Sequence, residues 1–164
     1  MPGWKDERGP LCDSSVICAY LERLKPEPAL YPRDAYEYAR AIWFEEYGDT
    51  ALLQVFGPKI FFKKIVGPRF LGQHFEEAEI ETSWREEAPP LLDYLEGQLR
   101  GDWLAGNSFS IADIGIATQF VNLHLAGYRA DPKRWPKVAA YIERVHARPS
   151  FDTLIAEDKA FLGM

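Results

Sequence analysis

The pair Asp13-Ser14 is the strongest candidate for a binding site in this sequence. It stands where the first helix is predicted to begin, and the free backbone amides of a helix start attract anions, assisted by the helix dipole. The serine hydroxyl adds a donor for a carboxylate, and the neighbouring aspartate offers an acceptor for an ammonium group. Together they suit the −COO⁻ and −NH₃⁺ groups of an amino-acid end. The alternative is that both residues only cap the helix, which is the commonest use of Asp and Ser at this position.

The other reactive side chains form no recognised catalytic or metal-binding motif. His74, His124 and His146 lie outside any HxH, HxxxH or HExxH spacing, and Cys12 and Cys18 do not form a CxxC pair. We therefore predict no metal site and two reduced thiols, and we interpret His124 as a satisfied core residue of a buried helix. The sequence also contains no GxSxG, phosphate-binding loop or GxGxxG motif.

Composition narrows the class of protein. The 164 residues include 19 Lys and Arg against 25 Asp and Glu, which gives a net charge of −6 without a basic block. Nucleic-acid binding is not expected, because phosphate neutralisation needs clustered cations. No apolar run approaches the ~18–20 residues of a membrane span, and the charged start has no apolar signal core. The sequence predicts a cytoplasmic protein that neither enters membranes nor binds nucleic acid.

Proline and glycine divide the chain into three parts. Residues 1–25 read as a short β-hairpin followed by a helix from Ser14 to Leu24. Residues 26–33 contain three prolines and form an extended linker, since each proline lacks an amide donor and disfavours helix in the residue before it. Residues 34–164 contain a series of segments with helical periodicity, interrupted by a loop at Gly101–Ser108. The predicted fold is therefore mainly α, with a helical bundle and one small hairpin.

The first long helix of the bundle is expected to begin at Asp34, which forms a capping pair with Glu37. Its aromatic stripe, which includes Trp43 and Tyr47, predicts ordinary packing or an interface, with a hydrophobic ligand cleft as the alternative. Val66-Gly67-Pro68 is expected to end this helix.

A second helical stretch covers residues 74–100. Pro89-Pro90 should kink it or divide it in two. The glutamates between 76 and 87 are interpreted as a solvated face.

The best-signalled helix follows Phe109. Ser110 and Asp113 have the spacing of a capping box, and we assign them a structural N-cap role. From Ile111 to Leu125 the helix is apolar around nearly its whole circumference, which is typical of a helix surrounded by other helices. It is predicted to be the centre of the bundle.

Four stretches in this order resemble the glutathione transferase family: Asp13-Ser-Ser-Val-Ile17 followed by Tyr20-Leu21, Leu30-Tyr-Pro32, Phe109-Ser-Ile-Ala-Asp113, and Arg148-Pro-Ser-Phe151. The resemblance covers essentially the whole chain. It implies that residues 34–164 form the family's C-terminal helical domain. Residues 1–25 would then be a remnant, hairpin and helix, of its thioredoxin-like domain.

The resemblance also implies a ligand and a partner. Asp13 and Ser14 match the residues that hold the γ-glutamyl end of glutathione, and the backbone of Met1 matches the position that pairs with the cysteinyl backbone. The segment that carries the family's thiolate-stabilising Ser, Tyr or Cys has no counterpart, so no catalytic residue is assigned. We expect a homodimer without a metal, a chain shortened at its N-terminus, and no conjugation of glutathione to an electrophile by this chain alone.

The alternative function is a non-catalytic one. Domains similar to the family's C-terminal half serve as binding or scaffold modules, and an aromatic first long helix suits that use.

Overall fold

The computed structural model describes residues 2–164, and Met1 lies outside the described part. Helices hold 67% of the chain, and the strands form one two-stranded sheet. This confirms the prediction of a mainly α fold with a small hairpin. The strands are β1 (Gly3–Asp6) and β2 (Gly9–Cys12). The α-helices are α1 (Ser14–Leu24), α2 (Ala35–Tyr47), α3 (Leu53–Val55), α4 (Gly67–Leu71), α5 (Glu77–Thr82), α6 (Ala88–Gln98), α7 (Ile111–Leu125), α8 (Pro136–His146) and α9 (Pro149–Leu162).

The hairpin is antiparallel and pairs Gly3 with Cys12 and Asp6 with Gly9. It is tied to α1 through Tyr20, whose hydroxyl donates to the Asp6 carboxylate. That hydrogen bond is the main cause of the lowered pKa of Asp6, with the Arg8 amide as the next cause. The hairpin and α1 therefore form one small unit at the start of the chain.

The first long helix continues beyond the point where proline was expected to end it. π-helical segments Gly48–Leu52 and Phe56–Val66 join α2, α3 and α4 into one helical path that ends at Gly72, which has φ +62°. The prediction that Val66-Gly67-Pro68 ends the helix was wrong. Pro68 lies in the first turn of α4, where its fixed φ suits the helix and few amides bond within it.

The second helical stretch runs from α5 to α6 through a π-helical segment, Ser83–Glu87. Its prolines occupy the first turn of α6, so the change in winding precedes them. The glutamates of this stretch do more than face solvent, because several of them pair with lysines of the first long helix. These ion pairs are Lys59 with Glu87, Lys63 with Glu79 at 2.8 Å, and Lys64 with Glu77.

Helix α7 lies at the centre of the bundle, as predicted. Ile116, Ala117, Phe120 and Leu123 are fully buried in the main hydrophobic cluster. The helix packs against α2, the Phe56–Val66 segment and α8. Its apolar circumference is therefore matched by neighbours on several sides.

The Asp113 carboxylate is fully buried and accepts four hydrogen bonds. The amides of Leu104 and Ser110 donate to it at 3.1 and 2.8 Å, and the Tyr141 and Ser110 hydroxyls donate at 2.9 and 3.2 Å. Burial raises the pKa of Asp113, and these four donors oppose that rise. One carboxylate thus fixes the start of α7, the loop before it and a tyrosine of α8.

Replacing Asp113 should therefore lower the free energy of unfolding more than replacing an ordinary N-cap residue does. We expect Asp113→Ala to lower the free energy of unfolding by about 3–5 kcal/mol, because buried donors lose their acceptor. Urea denaturation measures this, with Asp34→Ala as the matched control. Asp34 caps α2 at an exposed site through the Tyr36 and Glu37 amides, both at 3.0 Å. That control should lose about 0.5–2 kcal/mol. Equal losses in the two variants would contradict the proposed role of Asp113.

Candidate functional site

Asp13 is the N-cap of α1, and only one of its carboxylate oxygens serves as the cap. Oδ1 accepts from the amides of Ser15 at 3.0 Å and Val16 at 3.3 Å. Within residues 2–164, Oδ2 makes no hydrogen bond, and the side chain is exposed. The capping interpretation and the binding interpretation are therefore compatible, because the second oxygen can still accept from an ammonium group.

The backbone at Asp13 has an uncommon conformation. Its φ of 81° makes it the one residue other than glycine with positive φ in the described part of the chain. Such a conformation costs of order 1–3 kcal/mol in a side-chain-bearing residue and clusters at functional sites. The strain turns the chain sharply between β2 and α1 and leaves the Ser14 hydroxyl exposed beside the Asp13 carboxylate.

Two carboxylates from the first long helix lie close to this site. Glu45 is only 5% exposed, although it is charged. Its pKa is raised first by burial and further by Asp49, Glu46 and Asp13, whereas the Ser15 hydroxyl lowers it. Burial, Glu46 and Asp13 likewise raise the pKa of Asp49, and the Ser14 hydroxyl lowers it. The start of α1 is consequently a region of negative potential.

This negative potential favours the ammonium group of an amino-acid end and disfavours a thiolate. An ammonium group gains from the acids around Asp13, while a second negative charge is disfavoured. Cys18 illustrates the effect, since burial, Glu45 and Asp49 all raise the pKa of its thiol. The nearby Tyr31 hydroxyl is enclosed without a hydrogen-bond partner among the described residues, and burial and Glu45 raise its pKa. Neither side chain is poised as an anion at neutral pH.

The sequence-predicted residues fall into separate places. Asp13 and Ser14 lie together at the start of α1, Ser110 and Asp113 lie at the start of α7, and Met1 is outside the described residues. Across residues 2–164, no group of three or more His, Cys, Asp and Glu side chains is arranged to hold a metal ion. The helices of the same range include none long and apolar enough to cross a bilayer.

Comparison with known proteins decides the family. The model for the glutathione S-transferase C-terminal domain matches residues 37–144. The chain belongs to the glutathione S-transferase family. Residues 37–144 are the greater part of the helical bundle, so the match covers the domain that α7 organises.

Individual relatives agree with this assignment. A probable glutathione S-transferase, parC, of Nicotiana tabacum is 29% identical over 148 residues, which cover 86% of this chain and 60% of that protein. FtsZ-localized protein A of Caulobacter vibrioides is 27% identical over 154 residues, or 90% and 64% of the two chains. Human glutathione-S-transferase T1-1, solved in its apo form, superposes with a TM-score of 0.83 at 25% identity and covers 99% of this chain and 67% of that one. This chain therefore spans less than two thirds of these two curated relatives.

Sequence reasoning missed Glu45 and Asp49. Both belong to a helix whose visible signal was an aromatic stripe, and no motif links them to Asp13. A usable signal was present, because Glu45 follows the core residue Phe44 and precedes Gly48 by three positions on the buried face. A charge on a core-facing position is a reason to look for a site.

The buried acid should make stability depend on pH. Because the folded state raises the pKa of Glu45, its ionisation destabilises the fold as pH rises above the unfolded value of about 4.3. Glu45→Gln should therefore raise the urea midpoint more at pH 8 than at pH 4. The neighbouring exposed Glu46→Gln is the control and should have a smaller effect. A gain for Glu45→Gln that is equal at both pH values would refute the burial argument.

Proposed function

We propose that this chain binds the γ-glutamyl end of glutathione at Asp13 and Ser14, and that it takes part in conjugating glutathione to an electrophile only together with the family's thiolate-stabilising segment. The observation that carries the proposal is that the two carboxylate oxygens of Asp13 have different partners. Oδ1 accepts from the amides at the start of α1, and Oδ2 has no hydrogen-bond partner within residues 2–164. Oδ2 accepts from the ligand's ammonium group. The Ser14 hydroxyl turns from the Asp49 carboxylate, whose pKa it lowers, and donates to the ligand's carboxylate. The conjugating activity, and a cytoplasmic location, are proposed from family membership.

Binding and activation are separate requirements in this reaction. Conjugation needs a thiolate, which a nearby donor or cation stabilises by lowering the thiol pKa. Among the described residues, the charged side chains that interact with Asp13 are chiefly acidic, and they include Glu45 and Asp49. We propose that the 164-residue chain holds glutathione weakly and does not turn it over. The bound thiol then titrates near its free value of about 8.5.

A binding experiment with two forms of the ligand tests the half-site. A few hydrogen bonds worth ~0.5–3 kcal/mol each must offset the lost freedom of the ligand, so we expect glutathione to bind at millimolar concentration or weaker. Ligand-observed NMR measures this. The matched analogue is glutaryl-cysteinyl-glycine, which lacks only the ammonium group. Asp13→Asn should weaken glutathione binding about tenfold, since a charge-assisted hydrogen bond is lost.

The control is Asp34→Asn, which alters the N-cap of α2 and leaves the start of α1 intact. It should bind glutathione as the parent chain does. Equal binding of glutathione and the glutaryl analogue would show that Asp13 does not bind the ammonium group. Steady conjugation of an aromatic electrophile by the purified chain would show instead that an activating group lies within these residues.

The second candidate is a non-catalytic binding or scaffold module. A specific observation favours it, because α2 presents Tyr36 and Trp43 with 64% and 54% of their surfaces exposed. Large exposed aromatic side chains are typical of protein interfaces. One relative is also named for its localisation with FtsZ. In either function we propose a homodimer formed through this face of α2.

A charged residue introduced at the proposed contact tests the dimer. We expect Tyr36→Glu to shift sedimentation at tens of micromolar from dimer to monomer, because two copies would bring like charges together at the contact. Phe161→Glu is the control, since Phe161 is 77% exposed near the end of α9. It should sediment like the parent chain. A parent chain that is already monomeric at that concentration would exclude the proposed dimer.

A further inference from the structure

A cavity of about 340 Å³ lies where the C-terminal ends of α7 and α8 meet the side of α9. We call it the α7–α9 cavity. Its lining includes His124 and Leu125 of α7, His146 of α8 and Lys159 of α9. Binding pockets for small ligands begin at about this volume. None of these residues belongs to the site at Asp13 and Ser14.

His124 is not the satisfied core residue that the sequence suggested. Its ring makes no hydrogen bond within residues 2–164 and packs edge-to-face on His146, with the ring centroids 5.1 Å apart. His146 is already engaged, because its Nε2 lies 3.0 Å from the Ala117 carbonyl, which can only accept. Of the two adjacent imidazoles, only His124 therefore has both ring nitrogens without a hydrogen-bond partner in the described residues, and it can bind a ligand.

The charged groups around His124 create a positive potential at its wall of the cavity. Burial and the charges of Arg129, His146 and Lys159 together lower the pKa of His124 to about 3, and burial is the largest of these causes. The ring is consequently neutral at pH 7, with one donor and one acceptor nitrogen. For His146, burial also lowers the pKa, while the hydrogen bond to Ala117 opposes that shift.

Arg129 and Lys159 are cations without an acidic partner. In the described part of the chain, neither side chain forms an ion pair or a hydrogen bond, whereas most other lysines and arginines of the bundle do. The cavity also contains two acids, Glu143 of α8 and Asp152 of α9. Glu143 also lines a smaller neighbouring cavity together with His124 and Arg129. His124 therefore faces two cations, Arg129 and Lys159, and one acid.

The remaining wall of the cavity is apolar. Val121 and Leu125 of α7 and Ile155 of α9 line it. Val121 and Leu125 belong to a small hydrophobic cluster that is separate from the main core, against which Ile155 packs. A ligand that fills this space would have both an apolar body and an anionic end.

We propose that the α7–α9 cavity binds a small carboxylate with an apolar body. The carboxylate accepts from Arg129, Lys159 and the donor nitrogen of His124, and the body covers Val121, Leu125 and Ile155. Charge-assisted hydrogen bonds of this kind are about twice as strong as neutral ones. The proposal is independent of glutathione binding and of any conjugating activity.

The test uses 4-phenylbutyrate as the probe, with 4-phenylbutanol and 4-phenylbutylamine as analogues that have the same body. Isothermal titration calorimetry measures affinity, and the imidazole carbon–proton resonances identify the residue in contact. We expect 4-phenylbutyrate to bind and to shift the His124 resonance, and the alcohol and the amine to bind at least tenfold more weakly. Added salt should weaken the binding of the carboxylate.

Variants separate this site from general adsorption. Arg129→Ala and Lys159→Ala should each weaken 4-phenylbutyrate binding about tenfold. Arg100→Ala is the matched control, since Arg100 is also exposed and outside this cavity, and it should bind as the parent does. Absence of binding at millimolar probe, equal binding of the alcohol, preference for the amine, or unchanged affinity in both variants would each overturn the proposal.

Discussion

The buried Asp113 carboxylate is the polar contact on which the bundle depends most, because it joins an irregular loop to α7 and α8, which otherwise meet through apolar packing. It holds the Leu104 amide of the irregular loop, the Ser110 amide at the start of α7 and the Tyr141 hydroxyl of α8. The same loop is tied to α2, since Arg40 donates to the Leu104 carbonyl at 3.0 Å. A single acceptor without a competing cation thus ties the loop to α7 and α8 and, through Arg40, to α2. A buried acid is tolerated here because each nearby donor needs it.

The candidate site depends on a second constraint, which is the close crossing of the first long helix and α7. A Cβ on Gly48 would lie 2.8 Å from the Gly115 carbonyl oxygen, and one on Gly115 would lie 3.2 Å from the Glu45 Cα. Only glycine at these positions lets the two backbones approach so closely. Glu45, one of the acids near Asp13, lies at this crossing. One part of the acidic surroundings of Asp13 is therefore fixed by packing inside the bundle.

The two proposed ligand-binding regions differ in the sign of their electrostatic potential. At Asp13 the acids of two helices surround a carboxylate oxygen, so a cationic group of the ligand is favoured. In the α7–α9 cavity, Arg129 and Lys159 lie near a neutral imidazole, so an anionic group is favoured. In both places the protein holds buried or unpaired ionisable groups that reduce stability. Such groups are the usual mark of a site, because packing alone would exclude them.

The sequence by itself determined the helices, their caps and the central position of α7. Those features come from interactions within a few residues, such as Asp13 with the Ser15 amide, or from the apolar circumference of one segment. Only the tertiary structure decided that Glu45 joins Asp13, that His124 meets His146, and that Pro68 lies inside a continuous helical path. These outcomes depend on which helix faces are brought together across long sequence separations. Local periodicity contains no information on that pairing, because any two apolar faces of similar size satisfy it equally well.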